Sequence, residues 1–486
     1  MRRTWLPIAL CAVLLTGACT GDKPAPTTGP TTAPSASAGP SSPSFEQYSA
    51  GRSVPVADPV YPGYGNPGLD VLHYGLDLAW DPGPKTLTGT ATLQLRAAAE
   101  LNELKLDFSK AYTIDAATLD GATVTGTVDG TKLTVGGKLA KDKLAELVVK
   151  YHGTPATVPM PSHRADAEPL GLTVTADGAL WTMQEPYGAS TWYPSNDQPS
   201  DKALYDINVT VPEGWSAIAN GTPKGRDGNV FHYTAATPVA TYLTTLAVGK
   251  YKQETATGPG NVPITYWYRP GADDKALPYL RKSPQYLDWL AKRFGPYPFD
   301  SAGVLMVPSA SGMETQQMIT MGLPEYGSDA AFKTAFDGDL LHEYAHQWFG
   351  DAVTTSNWND LWLNEGWAEY AQFLYTNERD KVTAKQWEDW ARTTDARLRQ
   401  RLGPPGKPRA DSFAESNVYI CPALMLHQIH KQIGDDAFFS LGKDWAAQNR
   451  GTAQGRESFI AFVNQHTGKD FTALINTWLD SPTTPK

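Results

Sequence analysis

The sequence predicts an α+β protein of more than one domain, in which antiparallel β-sheet comes first and a mainly helical part follows. The chain has 486 residues, 41% of them hydrophobic, which is enough for two or three globular domains. Between residues 58 and 253, short runs of alternating polarity are separated by turn pairs such as Asp120-Gly121. This pattern is typical of antiparallel strands. After residue 273 the spacing of apolar residues becomes that of helices.

The individual elements follow from these two patterns. The clearest strand candidates are residues 74–80, 87–95, 101–108, 144–151, 205–211 and 242–248. Helical spacing predicts helices over residues 277–294, 330–349, 361–377, 385–402, 422–433, 457–466 and 471–479. Residues 303–321 are expected to be extended. We therefore assign residues 57–253 to an N-terminal β domain and residues 254–486 to the helical domain.

Residues 1–18 have the features of an export signal. Arg2 and Arg3 precede a mostly apolar run, residues 6–15, which is too short for a membrane span of about 20 residues. Leu15-Thr16-Gly17-Ala18-Cys19 resembles the lipobox of bacterial lipoproteins, in which the cysteine is lipidated. We therefore expect an exported cell-surface lipoprotein anchored at Cys19. Secretion after ordinary signal cleavage is the alternative, because leucine is more usual where Thr16 stands.

Residues 19–56 are assigned to the anchor cysteine and a linker. From residue 21 to residue 44 the chain consists almost wholly of Pro, Thr, Ala, Ser and Gly, a composition that favours a solvated spacer. The net charge is −10, and no cluster of Lys and Arg suggests binding to a phosphate backbone. We therefore expect no nucleic-acid partner, and contact with a membrane only through Cys19.

The most specific motif is His342-Glu343-Tyr344-Ala345-His346, which is followed by Glu365. Two histidines four residues apart lie on one face of a helix, where both can reach one zinc ion at about 2.0–2.1 Å. Glu365 opens the next helical segment and offers a third ligand. Three protein ligands leave one coordination position for water, as in catalytic zinc sites. The sequence therefore predicts one Zn²⁺ per chain, bound by His342, His346 and Glu365.

With their flanking residues, these motifs resemble the gluzincin aminopeptidases of the aminopeptidase N family. That family combines HExxH, eighteen intervening residues (here 347–364) and a glutamate. Gly312-Met313-Glu314 is similar to the family's GxMEN exopeptidase motif, Glu185 to the acid of its QxE element, and Tyr419 to its catalytic tyrosine. The resemblance spans about residues 60 to 480.

The resemblance implies an antiparallel, saddle-like β domain followed by a thermolysin-like zinc peptidase domain, in a short form that lacks the family's C-terminal helical domain. It implies a zinc-dependent aminopeptidase acting on peptides with a free N-terminus. Glu343 would be the general base, and Tyr419 would stabilise the oxyanion. Glu369, one turn after Glu365, would orient a ligand histidine.

The resemblance also assigns the binding of the substrate N-terminus. Glu314 and Glu185, with Gly312 and Met313, would receive its ammonium group through charge-assisted hydrogen bonds. The family pattern is not complete, since Thr315 replaces an asparagine and Met183 a glutamine, and these departures concern substrate preference. Two alternatives stay open: a thermolysin-like endopeptidase, and a catalytically silent peptide-binding lipoprotein.

Overall fold

The N-terminal half of the described chain is built from strands. The computed structural model describes residues 45–486, so the predicted signal peptide, Cys19 and the linker up to residue 44 lie outside the described residues. The strands of this half are β1 (Leu69–Asp81), β2 (Thr86–Ala97), β3 (Leu101–Asp107), β4 (Tyr112–Leu119), β5 (Ala122–Val124), β6 (Gly126–Asp129), β7 (Lys132–Leu139), β8 (Leu144–Gly153), β9 (Gly171–Val174), β10 (Leu180–Met183), β11 (Lys202–Thr210), β12 (Ser216–Ala219), β13 (Thr222–Asp227), β14 (Val230–Ala240) and β15 (Leu246–Gly249).

These strands form three sheets around one hydrophobic core. An eight-stranded sheet has the order β13-β14-β11-β1-β2-β8-β4-β5, a four-stranded sheet the order β12-β15-β10-β9, and a three-stranded sheet the order β3-β7-β6. Neighbouring strands are antiparallel except β1 and β11, which run parallel from His73 opposite Leu204 to Ala79 opposite Thr210. The predicted β-rich N-terminal part is confirmed, and one parallel pair is added to it.

The folded part begins earlier than predicted. The sequence assigns a linker up to residue 56, whereas Phe45–Gly51 form a 3-10 helix. A side chain at Gly51 would have its Cβ 2.0 Å from the carbonyl oxygen of Leu72, so the glycine lets this helix pack directly against the backbone of β1. Tyr48 also stacks on His73, with ring centroids 4.4 Å apart. These contacts explain why residues 45–51 are ordered despite their proximity to the Pro- and Thr-rich segment.

The second half contains a five-stranded mixed sheet and a two-stranded one. Their strands are β16 (Lys252–Thr257), β17 (Pro263–Tyr268), β18 (Ala302–Met306), β19 (Gly312–Met313), β20 (Ile319–Met321), β21 (Val353–Thr355) and β22 (Thr452–Gln454). The order of the larger sheet is β16-β17-β18-β20-β19, which places β19 at its edge. The predicted domain boundary after residue 253 falls inside β16, so the sheet of the second half begins at Lys252.

Helices make up most of the second half and surround a second hydrophobic core. They are α1 (Leu277–Leu280), α2 (Ser283–Phe294), α3 (Asp329–His346), α4 (Trp362–Asp380), α5 (Ala384–Leu402), α6 (Asn417–Ile433), α7 (Asp435–Gln448), α8 (Arg456–Thr467) and α9 (Thr472–Asp480). None of the helices among the described residues is long and apolar enough to cross a membrane.

Two helical predictions need correction, and one helix was missed. The predicted helix over residues 277–294 is divided into α1 and α2, because Pro284 in the first turn of α2 has no amide hydrogen to continue the bonds of α1. α6 begins at Asn417 rather than at residue 422, and it contains Pro422 in its interior. α7 was not predicted from the sequence.

Candidate active site

Two consecutive helices supply the predicted metal ligands. The N-terminus of α3 is capped by Ser328, whose Oγ accepts a hydrogen bond from the amide of Ala331 at 3.1 Å. The other end of α3 carries His342 and His346 one turn apart, and both are buried. α4 packs against α3 and presents Glu365 from its first turn. The predicted triad therefore meets at one point although residues 347–361, which include β21, separate the two helices.

The donor atoms of this triad are spaced as a metal ion requires. Nε2 of His342 lies 3.0 Å from Nε2 of His346, and Oε2 of Glu365 lies 3.3 Å from the former and 3.2 Å from the latter. Ligands at about 2.0–2.1 Å from a tetrahedral zinc ion are separated from each other by roughly 3.3 Å. The three side chains therefore fit one zinc ion.

Hydrogen bonds on the far side of each imidazole fix the tautomers. Nδ1 of His346 donates to the carbonyl oxygen of Phe349 at 3.0 Å, and Nδ1 of His342 donates to Oε1 of Gln372 at 3.1 Å. When both imidazoles are neutral, as metal ligands must be, their Nε2 atoms carry lone pairs that face each other. Two lone pairs at this distance repel unless a cation lies between them, so the arrangement favours metal binding.

Gln372, rather than the predicted Glu369, is the nearer partner of His342. Oε2 of Glu369 is 3.5 Å from Nδ1 of His342, whereas Oε1 of Gln372 is 3.1 Å from the same nitrogen. The amide group of Gln372 is itself oriented, because its Nε2 donates to Oδ1 of Asp339 at 3.1 Å. Gln372 follows Glu365 by two helical turns and so lies on the same face of α4. That spacing could have identified Gln372 from the sequence.

Glu343 lies between the metal ligands and the edge strand β19. One carboxylate oxygen of Glu343, one of Glu314 and a ring nitrogen of His346 lie within 4.8 Å of one another. A Cβ at Gly312 would be 2.6 Å from Oε1 of Glu343. Glycine at this position therefore allows the strand backbone to approach the carboxylate. Burial raises the pKa of Glu343 to about 7.

Glu314 and Glu185 converge on the same cavity from different halves of the chain. Glu314 follows β19 and is 4% exposed, whereas Glu185 follows β10 of the N-terminal half. Among the described residues, Oε1 of each is buried without a hydrogen-bond partner. Burial raises the pKa of both carboxyl groups. Two such unpaired oxygens are acceptors that the N–H donors of a cation could satisfy.

Gly312 and Met313, also predicted to bind the substrate N-terminus, line this cavity through β19. The side chain of Met313 is 3% exposed and packs in the core of the N-terminal half. Met313 can therefore contact a bound substrate mainly through its backbone.

Tyr419 reaches the cavity from the first turn of α6. Its ring centroid is 5.9 Å from that of His342, and its hydroxyl oxygen accepts a hydrogen bond from Nη1 of Arg164 at 3.0 Å. Sequence reasoning missed Arg164, because this residue lies in an irregular loop of the N-terminal half. Only tertiary contacts bring that loop to α6.

The cavity formed by these residues carries an excess of acidic groups. Its volume is about 330 Å³, and six glutamates that line it accompany the two histidines: Glu168, Glu185, Glu314, Glu343, Glu365 and Glu369. Burial acts to raise the pKa of Glu365, but the neighbouring His346 and His342 outweigh burial and hold that pKa below its usual range. This surplus of acidic groups suits a divalent metal ion together with a second cation, whose positive charges would keep the carboxylates ionised.

Comparison with known proteins agrees with this geometry. The model of the peptidase M1 N-terminal domain matches residues 71–243, and that of the peptidase family M1 domain matches residues 279–478. Aminopeptidase N of Streptomyces lividans is 27% identical over 332 residues, which cover 62% of this chain and 38% of that protein. Tricorn protease-interacting factor F2 of Thermoplasma acidophilum is 25% identical over 451 residues, covering 86% and 54% of the two chains. The chain thus spans about half or less of these relatives' length.

Solved structures extend the comparison to nearly whole chains. The M1 zinc metallopeptidase of Deinococcus radiodurans has a TM-score of 0.75 at 29% identity, and the match covers 89% of this chain and 99% of that one. A mutant two-domain M1 zinc metallopeptidase bound to L-arginine gives a TM-score of 0.78 at the same identity and coverage. Both halves of the fold thus have counterparts in one family. The chain belongs to peptidase family M1.

Proposed function

We propose that the protein is a zinc-dependent aminopeptidase that binds one zinc ion per chain and releases N-terminal residues from peptides. The observation that carries this proposal is the position of two unpaired carboxylates beside a three-ligand metal site. The triad supplies a hydrolytic centre, while Glu185 and Glu314 supply a binding site for an ammonium group. The names of the curated relatives, and a related metallopeptidase mutant solved with a Tyr-Ser-Ala substrate, support the same class of substrate.

The catalytic roles follow from the positions of the side chains. Zinc bound by His342, His346 and Glu365 would supply a Lewis acid that polarises the peptide carbonyl and lowers the pKa of water. Glu343, beside these ligands, would take the proton of the attacking water and pass it to the leaving amine. The hydroxyl group of Tyr419 would donate a hydrogen bond to the developing oxyanion.

The preference for a free N-terminus follows from the cost of leaving carboxylates unpaired. An ammonium group between Glu185 and Glu314 would form charge-assisted hydrogen bonds, each worth about 1.5–3 kcal/mol. An internal peptide bond brings no positive charge and would leave both carboxylates without partners. The edge strand β19 offers its free side to the substrate backbone, which could add as a further strand.

Matched peptides with a free or an acetylated N-terminus test this proposal. We expect rapid release of the first residue from the free peptide, no release from the acetylated one, and loss of turnover after zinc is chelated. Equal cleavage of both peptides would favour the endopeptidase alternative. Binding of the peptide without hydrolysis, with or without zinc, would favour the silent binding protein.

We further propose that the protein is exported and lipidated at Cys19. The basic start, the short apolar run and the lipobox-like Leu15-Thr16-Gly17-Ala18-Cys19 support this proposal. Mass spectrometry of the mature N-terminus tests it. A diacylated or triacylated Cys19 is expected. A mature chain with an unmodified N-terminus at another residue would indicate ordinary secretion.

A further inference from the structure

The loop between β8 and β9, residues 154–170, connects the two walls of the cleft. We call it the bridging loop. On one side it is hydrogen-bonded to the segment that precedes α6 and Tyr419, and on the other to the segment that precedes β19 and Glu314.

Two hydrogen bonds attach the bridging loop on the α6 side. The amide of Phe413 donates to the carbonyl oxygen of Pro161 at 2.8 Å, and the amide of His163 donates to Oε1 of Glu415 at 3.3 Å. The bonds on the β19 side run from the amide of Ala310 to Oε1 of Glu168 at 3.0 Å and from Oγ of Ser311 to Oδ2 of Asp166 at 3.4 Å.

Arg164 is the residue of the bridging loop that touches the catalytic groups. Its Nε donates to Oδ1 of Asp166 at 2.9 Å, and its Nη2 donates to Oδ2 at 2.6 Å. Its Nη1 donates to the carbonyl oxygen of Ala414 at 3.1 Å and to the hydroxyl oxygen of Tyr419 at 3.0 Å. These four bonds fix the guanidinium group in position and orientation.

The bond to Tyr419 constrains where the tyrosine hydroxyl can donate. Because the oxygen accepts a hydrogen bond from Arg164, the hydroxyl hydrogen must point away from the guanidinium group. The metal ligands line the same cavity as Tyr419, and the ring centroid of Tyr419 lies 5.9 Å from that of the ligand His342. A donor that already points toward the reacting carbonyl needs no reorientation during the reaction.

We propose that Arg164, held by Asp166, is a positioning residue that directs the hydroxyl hydrogen of Tyr419 into the cleft. The inference rests on the proposed function, since it assigns a partner to the tyrosine that stabilises the oxyanion. The bridging loop thereby gives the N-terminal half a part in transition-state stabilisation, in addition to the contribution of Glu185 to amine binding.

Direct binding of substrate by Arg164 is less favoured by the same contacts. A guanidinium group has five N–H donors, and the two bonds to Asp166 and the two from Nη1 occupy four of them. One hydrogen on Nη2 remains, so a carboxylate of the substrate could not form the paired contact that arginine usually offers.

A double-mutant cycle tests the proposal, with kcat and KM measured on aminoacyl substrates for the wild type, Arg164→Gln, Tyr419→Phe and the double variant. If Arg164 acts through Tyr419, Arg164→Gln lowers kcat about 10-fold or more and leaves KM nearly unchanged. In the Tyr419→Phe background the same change lowers kcat by less than about 2-fold. Arg164→Lys is expected to restore part of the loss.

Arg409→Gln is the matched control. Arg409 and Asp411 form the same two-bond pair at the same spacing, from Nε at 3.0 Å and from Nη2 at 2.7 Å, but both are exposed. We expect the kcat of this variant to be unchanged. If Arg164→Gln does not fold, Asp166→Asn replaces it in the cycle, because it loosens the guanidinium group without removing it.

Two results would overturn the inference. Equal losses of kcat in the two backgrounds would show that Arg164 does not act through Tyr419, and a rise of KM at constant kcat would show that it binds substrate. In either case wild-type turnover would leave the proposed aminopeptidase function intact. Absence of turnover in the zinc-loaded wild type would instead contradict the function itself.

Discussion

The metal-binding side of the cleft and its substrate-binding side are assembled in different ways. All the residues of the metal-binding side, the three ligands with Gln372, lie between residues 342 and 372 on the neighbouring helices α3 and α4. The substrate-binding side takes Arg164, Glu185, Glu314 and Tyr419 from both halves of the chain. Helical spacing and the packing of α4 against α3 therefore determine the metal site, whereas the choice of substrate depends on how the two halves pack.

The largest expected effect is that of Glu343→Gln, which leaves the metal ligands in place. Removal of the general base should lower kcat on the order of 10⁴-fold, while zinc content measured by atomic absorption stays at one per chain. The exposed Glu213→Gln is the control and should behave as the wild type. Turnover retained in the Glu343 variant would remove this residue from the mechanism.

Tyr419→Phe should show that the substrate-binding side also contributes to the chemical step. Loss of one oxyanion donor lowers kcat about 10²–10³-fold, and we expect no change in zinc content. Steady-state kinetics on one aminoacyl substrate measure the loss. A change confined to KM would assign Tyr419 to substrate binding alone.

Glu314→Gln should change substrate choice more than chemistry. Loss of one charge-assisted bond of about 1.5–3 kcal/mol lowers kcat/KM for a free peptide roughly 10- to 150-fold. The residual cleavage of an acetylated peptide should not fall, because that peptide has no ammonium group to bind. A parallel fall for both peptides would mean that Glu314 acts on the metal site instead.

Gln372→Ala should have the smallest effect of these variants, and the quantity that changes should be the affinity for zinc. Loss of the partner that orients a ligand histidine typically weakens metal binding about 10- to 100-fold, which competition with a chelator can measure. Glu369→Gln should weaken zinc binding less, because its carboxylate lies farther from Nδ1 of His342. A larger loss of zinc affinity in the Glu369 variant than in the Gln372 variant would support the role that the family resemblance assigned to Glu369.

The same contrast explains what the sequence could predict. The order of β-sheet before helices followed from the change in apolar spacing, and the zinc ligands followed from distances of four and nineteen residues along the chain. Both are local signals. The early start of the fold at Phe45, by contrast, depends on a close backbone contact at Gly51 that composition does not reveal.

The substrate-binding side was only partly predictable for the same reason. Glu314 and Glu185 were identified by resemblance to family motifs, and nothing in the local pattern indicated that they share a cavity. Arg164 gave no signal, since it lies in an irregular loop and its role depends on contacts with Tyr419 and Ala414. Its position became evident only from the packing of the two halves.

The central claim is that His342, His346 and Glu365 bind one metal ion and leave a coordination position open. Anomalous diffraction at the zinc edge from crystals of the zinc-loaded protein tests it most directly. The account predicts one strong peak about 2.0–2.1 Å from Nε2 of both histidines and within about 2.0–2.2 Å of a carboxylate oxygen of Glu365, with no fourth protein ligand. The absence of a peak there, or a fourth protein atom completing the coordination, would contradict it.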